Sequence, residues 1–195
     1  ETGTNNTTII GENNTVKGLS RNNIIAGDNN QISNSINNSF VYGRLGETTA
    51  ENSIVLGGNA PADILGERQS IRLLYGWQTT DGNTTNSYLN NIENSFFTIP
   101  RNTICYFHAD TVAVRVAGAG EGAVGDFASW VERGVVINKS DTLTVSRERD
   151  LIKSSGSVSN FTGTNFRITV RGDADQTVEW CSNITFTQIK TGVSL

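Results

Sequence analysis

A glycine recurs through the first sixty residues at a nearly fixed interval: Gly11, Gly27, Gly43 and Gly57 are spaced by 16, 16 and 14 positions. Two positions before each stands a β-branched aliphatic (Ile9, Ile25, Val41, Val55), and five before each an asparagine (Asn6, Asn22, Asn38, Asn52). After the first two glycines come Asn14 and Asn30, then Val16 and Ile32. A period of this length suits two short strands and two tight turns, one coil of a solenoid. Asparagine and glycine tolerate the left-handed backbone that such turns need. Stacked coils set like residues about 4.8 Å apart, close enough for asparagine ladders. Each coil carries few inward aliphatics, too few to offset the ordering entropy of its residues. The columns of Ile9, Ile25, Val41 and Val55 are therefore expected to need cover from other chains. In the third coil Gly46 takes the asparagine place and Thr48 the aliphatic place, so the roll is expected to loosen there.

From Gly66 the period disappears and alternation takes over. In FRITVRG, Phe166, Ile168 and Val170 face one way; in TVEWCSNITFTQI, Val178, Trp180, Ile184 and Phe186 share a parity. TICYFHADTVAVRV is apolar on both faces, the mark of a central strand covered on both sides. Turn signals punctuate these runs at Asp81-Gly82, Pro100, Gly118 to Gly125, Ser154 to Ser157 and Gly172-Asp173. No ten-residue stretch has good helical periodicity. The expected fold is all-β: a β-solenoid stalk over residues 1–65, then an antiparallel, jelly-roll-like β-sandwich head over residues 66–195.

Charge narrows the partners. The formal net charge is −4 and no cluster of Lys and Arg offers itself to phosphates, which argues against nucleic acid. No run approaches the roughly 18–20 apolar residues of a membrane span. With Met counted at 0 and no signal peptide, the chain reads as starting within a longer protein. The two cysteines, Cys105 and Cys181, are expected as buried free thiols, with a single bridge as the alternative.

Two resemblances enter here. The pattern in NNIIAGDNNQI and ENSIVLGGNA resembles the head repeats of trimeric autotransporter adhesins, also found in phage fibre shafts, over roughly residues 5–60. It implies a left-handed parallel β-roll in which three chains share a core. The succession FTIPRNT, DFASWVERGVVIN and FRITVRGDADQTVEW is similar to a C-terminal β-domain of phage tail proteins, over roughly residues 79–190. Together they imply a homotrimeric structural and adhesive tip of a viral fibre, located on the virion and not an enzyme. It would bind a host-surface glycan or protein and join other virion proteins upstream of residue 1. A bacterial autotransporter fragment and a small polysaccharide depolymerase are the alternatives.

Candidate chemistry is sparse, and no cofactor or metal is expected. His108 has Asp110 two residues on, which reads as a hydrogen-bonded strand pair. Glu132, Glu148, Asp150 and Asp173 could supply a carboxylate pair for glycan hydrolysis, but no spacing singles one out. Asp28-Asn29-Asn30 could offer oxygens to calcium, though the repeat already explains it. The Gly118–Gly122 run lacks the Lys-Ser/Thr of a phosphate loop, and Arg171-Gly172-Asp173 is ordinary hairpin chemistry. Asn6, Asn138 and Asn160 open N-x-S/T triplets. The best binding surface is a long polar loop, QTTDGNTTNSY, bounded by two aromatics. Trp77, Asp81, Asn83 and Tyr88 are its candidate receptor- or glycan-binding residues, because sugars stack on aromatic planes and bond to carboxylates and amides.

Overall fold

The computed structural model describes residues 6–60, 63–153 and 165–192. Among these residues every regular element is a strand. The repeats form the coils β1 (Thr8–Glu12), β2 (Thr15–Val16), β3 (Ile24–Asp28), β4 (Gln31–Ile32), β5 (Phe40–Arg44), β6 (Glu47–Thr48) and β7 (Ile54–Gly58). They stack as two parallel sheets, β1-β3-β5-β7 and β2-β4-β6, giving a β-solenoid of about three turns. Register follows the sequence columns: Ile9 pairs with Ile25, Ile25 with Val41 and Val41 with Val55.

The turns explain the polar columns. Asn22, Asn38 and Asn52 hold φ of 55°, 55° and 52°, the left-handed region that asparagine tolerates best among residues with a Cβ. Gly27 has φ 115°, and a Cβ there would run into the carbonyl oxygen of Gly43 in the next coil. Coil-to-coil bonds also use side chains. Asn14 Oδ1 accepts the Asn30 N–H at 3.0 Å and Asn30 Oδ1 accepts the Gly46 N–H at 2.8 Å.

Two expectations about the roll change. Ile25, Val41 and Val55 are 0% exposed within one chain, covered by Val16, Ile32, Ile36 and Ala50. Their column therefore needs no second chain; only Ile9, in the first described coil, stays 54% exposed. Nor does the third coil loosen. Thr48 is buried, and its hydroxyl bonds Ser53 Oγ at 2.6 Å and the Ala50 carbonyl at 3.0 Å, so a polar pair fills the place of the aliphatic.

The remaining strands are β8 (Arg68–Thr79), β9 (Thr84–Leu89), β10 (Phe97–Thr98), β11 (Thr103–Gly118), β12 (Phe127–Lys139), β13 (Thr142–Lys153), β14 (Asn165–Phe166), β15 (Ile168–Arg171) and β16 (Gln176–Lys190). β8 joins the roll antiparallel to β7, pairing Ile54 with Arg72 and Leu56 with Ser70. One sheet then continues as β1-β3-β5-β7-β8-β16-β11-β12-β13. Where a two-sheet sandwich was expected, the described strands form this broad sheet, from which β9 branches by pairing Tyr75 with Leu89 and Gly76 with Tyr88 and carries β15 in turn, while β10 and β14 make a separate two-stranded pair. Phe97, Phe107, Phe166 and Phe186 cluster together, with Phe166 and Phe186 4.9 Å apart edge to face. Tyr75 closes the cluster: its hydroxyl accepts the Phe97 N–H at 2.8 Å and donates to the Phe166 carbonyl at 3.3 Å.

The outer face is different. β11 lies between β16 and β12, as its doubly apolar pattern requires, but only its inner side is covered. Phe107 and Cys105 are buried, whereas Ile104, Tyr106 and Val112 face outward and are exposed. The same side of the sheet carries Ile24, Tyr42, Ile54, Leu56, Leu74 and Ile189, also exposed.

Candidate functional site

The polar loop from Trp77 to Tyr88 is mostly strand. β8 runs to Thr79 and β9 starts at Thr84, so the hairpin tip is short. Asp81 closes it on itself: its carboxylate accepts the Asn83 N–H at 2.9 Å and the Asn83 side-chain amide at 2.8 Å. The two aromatics stand away from the tip. Trp77 meets Tyr88 edge to face at 4.5 Å, and Tyr88 meets Phe96 at 5.4 Å. Tyr88 is 7% exposed, and its ring packs between Trp77 and Phe96. The structure thus separates the four residues into an exposed polar pair and an aromatic packing pair.

The hairpin tip leads to a cleft that the sequence did not single out. Trp180 pairs with Trp77 across β16 and β8 and with Ala113 on β11, which pairs in turn with Ala128 on β12. Two alanines beside a tryptophan leave a hollow on the inner face. Val178 extends the floor, and the space measures about 380 Å³. One wall is the turn from Arg171 to Asp173, held to the hairpin tip because Arg171 Nε donates to the Gly82 carbonyl at 2.7 Å. The other is the glycine-rich loop after β11, with Glu121 and Asp126 on the cleft. Buried Arg115 shapes that loop: its guanidinium donates to the carbonyls of Glu121, Gly118 and Gly120 at 2.6, 2.8 and 2.9 Å. The loop is therefore fixed rather than a slack connection.

The other candidates do not converge. Glu132 is buried, with Arg147 at 3.3 Å and Arg149 at 3.4 Å. Glu148 and Asp150 both flank Arg133 at 3.6 Å, on the outer side of the same strand pair. Asp173 lies at the cleft, so the four acids share no site. His108 Nε2 and Asp110 Oδ1 are 3.0 Å apart on the exposed outer face. Asp28 binds Arg44 at 3.0 Å and Asn29 at 2.7 Å, which uses its oxygens within the roll. Among the described residues no group of three or more His, Cys, Asp or Glu could hold a metal ion. Asn138 is buried, its amide donating to the Ile99 carbonyl at 2.8 Å, which removes it as a glycan acceptor. Asn160 and the Ser154–Ser157 turn lie outside the described residues. Both cysteines are free; Cys105 is buried as expected, but Cys181 is exposed. They sit on opposite faces of the sheet, since Cys105 shares the buried parity of β11 and Cys181 pairs with outward Val112.

No family model and no curated protein matches the chain. Among solved structures it is similar to the tailspike protein gp49 of Acinetobacter baumannii bacteriophage Fri1, a capsular polysaccharide depolymerase, at 13% identity and a TM-score of 0.37, covering 97% of this chain and 34% of that one. It is also similar to the tailspike protein of Acinetobacter phage vB_ApiP_P1, at 9% identity and a TM-score of 0.36, covering 88% of this chain and 41% of that one. A Bacillus endospore appendage structure, a family of disulfide-linked pili, follows at 13% identity and a TM-score of 0.24, covering 67% of this chain and 98% of that one. The chain thus spans well under half the length of the two tailspikes. One of them is an enzyme by its description, so the expectation that this chain is not an enzyme is withdrawn.

Proposed function

We propose that this chain is a structural and adhesive part of a virion tail appendage, assembled as a homotrimer and directed at a host-surface polysaccharide. Residues 1–65 would be the stalk and residues 66–195 the tip, joined to further virion proteins. The observation that carries the reading is the uncovered apolar side of the broad sheet. Its rows run in register across the roll and the following strands: Ile10, Ala26, Tyr42, Leu56, Ser70, Thr187, Tyr106 and Val135 lie on one ladder. Exposed apolar side chains on this face, Ile10, Tyr42 and Leu56 on the roll and Ile104, Tyr106 and Val112 on β11, alternate with polar positions such as Ser70, Thr187 and His108, and grouped exposed hydrophobics of this kind mark an association surface. β11 is patterned for burial on both sides and receives it on one. Three copies of the chain would supply the missing layer, as the resemblance to trimeric β-rolls implies. The loop end, with the Asp81–Asn83 tip and the neighbouring cleft, is the concave and polar region left for recognition, and three copies of a weak site gain through avidity.

The test is a solution mass by light scattering, expected near three times the 21.0 kDa of the chain, together with Tyr42→Asp and Leu56→Glu. Each variant should dissociate the trimer by placing a charge on its apolar face. A well-folded wild-type monomer at micromolar concentration overturns the assembly, and failure of the trimer to attach to host cells or their surface polysaccharide overturns the adhesive reading.

A further inference from the structure

We propose that the cleft beside Trp180 is a subsite for an uncharged pyranose, the terminal or internal sugar of a neutral glycan. The inference rests on the host-polysaccharide reading and says where and what the chain would bind.

Shape and polarity set the ligand class. A volume of about 380 Å³ lies in the range of small-molecule sites, roughly 300–1,000 Å³. The floor is apolar, from Ala113, Ala128, Val178 and the indole of Trp180. Trp180 is itself held rigidly: its N–H donates to Thr79 Oγ1 at 2.8 Å and its ring meets Trp130 at 5.5 Å. The walls carry the carboxylates of Glu121, Asp126 and Asp173 and the guanidinium of Arg171. A ligand must therefore offer a C–H surface to the floor and hydroxyl donors to the walls, which is the two-sided character of a sugar ring.

Charge decides between kinds of sugar. Three carboxylates line the cleft against two guanidinium groups. Arg115 spends its donors on the carbonyls of its own loop, and the Nε of Arg171 on Gly82. Asp126 accepts the Ala123 N–H at 2.7 Å through one oxygen, leaving the other for a ligand, while Asp173 is exposed at the cleft. The terminal nitrogens of Arg171 remain as donors, but carboxylates outnumber guanidinium groups three to two, so the lining is net acidic. An acidic sugar or a phosphate would meet repulsion, whereas hydroxyl groups would find partners.

The experiment uses the intact wild-type protein and the methyl glycosides of glucose, galactose, mannose and N-acetylglucosamine. Glucuronic acid and glucosamine serve as anionic and cationic comparators. Binding is read by tryptophan fluorescence and by saturation-transfer NMR. At least one neutral glycoside should bind saturably, and glucuronic acid at least tenfold more weakly. Asp173→Asn, at an exposed position, should weaken binding at least fivefold, Ala128→Leu should abolish it by filling the hollow, and Glu12→Gln, exposed in the first coil of the roll, should leave it unchanged. Asp173→Asn keeps the test valid if Ala128→Leu disturbs folding. No binding by any neutral glycoside, binding untouched by Asp173→Asn, or preference for either charged comparator overturns the subsite. If the cleft variants change nothing while the trimer still attaches to host polysaccharide, the subsite falls and the adhesive reading stands. Loss of attachment by wild type removes the adhesive reading itself.

Discussion

Asn30 presents its side-chain oxygen to the backbone N–H of Gly46, one coil further along, at 2.8 Å. Its amide donates at the same time to the carbonyls of Ala26 at 3.0 Å and Gly43 at 2.8 Å. One buried side chain thus stitches two adjacent coils together at three points. Removing it leaves buried groups unpaired, which costs about 1–3 kcal/mol. Asn30→Ala should lower the stability of the roll by that amount in urea denaturation. Asn22 is exposed, and its 3.3 Å bond to Asn38 is weak. Asn22→Ala should cost less, about 1 kcal/mol, for the left-handed backbone alone. Equal effects would show that backbone geometry, not the amide ladder, holds the coils together.

The aromatic pair and the hairpin tip should behave oppositely. Tyr88 is buried against Trp77 and Phe96, and truncating a large buried ring typically costs about 3–5 kcal/mol. Tyr88→Ala should therefore unfold or strongly destabilise the β8–β9 region, seen as early loss of near-ultraviolet circular dichroism. Asp81→Ala removes only the local closure of an exposed tip and should cost under about 1 kcal/mol. If Tyr88→Ala left the melting curve unchanged, the ring would not be part of the core.

Arg115 should prove essential to the loop it caps. Its guanidinium is buried among the carbonyls of Gly118, Gly120 and Glu121. Lysine has three donors on a single centre and cannot reproduce this fan. Arg115→Lys should therefore loosen residues 119–125, read as faster amide exchange and faster proteolysis there, while exchange in the roll stays as in wild type. Unchanged exchange in the loop would count against the guanidinium as its organiser.

The sequence made the roll legible because its period is local. Each glycine and asparagine answers a steric demand of its own turn, so the columns could be read before any contact was known. Strand β16 was legible for a similar reason, its alternation matching one buried face. What the sequence hid is pairing at long range. Nothing near Ile71 announces that it lies in register with Val55, so the passage of the roll's sheet into β8 was not foreseen. The loop from Trp77 to Tyr88 was misjudged because its many Thr and Asn residues read as loop, whereas they also suit a strand with one solvated face. The cleft was hidden more completely. Ala113, Ala128 and Trp180 are unremarkable where they stand in the chain, and only the sheet register sets two small residues beside a large one.

Burial also makes stability depend on alkaline pH. Cys105 lies at the inner face of β11, where loss of hydration pushes its thiol from 9.0 up to about 12. Tyr75 is raised as well, chiefly by burial, with the Phe97 N–H pulling weakly in the opposite direction. In both cases the folded protein favours the neutral form. Below the unfolded value of 9.0 for the thiol both states keep the proton, and its contribution to stability is complete. As pH rises above that value the unfolded chain releases the proton and the folded chain retains it, so stability falls until the folded thiol ionises near 12. Urea midpoints measured from pH 7 to pH 11 should decline above about pH 9, and Cys105→Ala should decline less steeply while starting from a lower stability. Tyr75→Phe should flatten the upper end of the range, at the cost of the Phe97 N–H losing its acceptor. A Cys105→Ala profile parallel to wild type from pH 9 upward would show that the thiol ionises as freely in the fold as out of it.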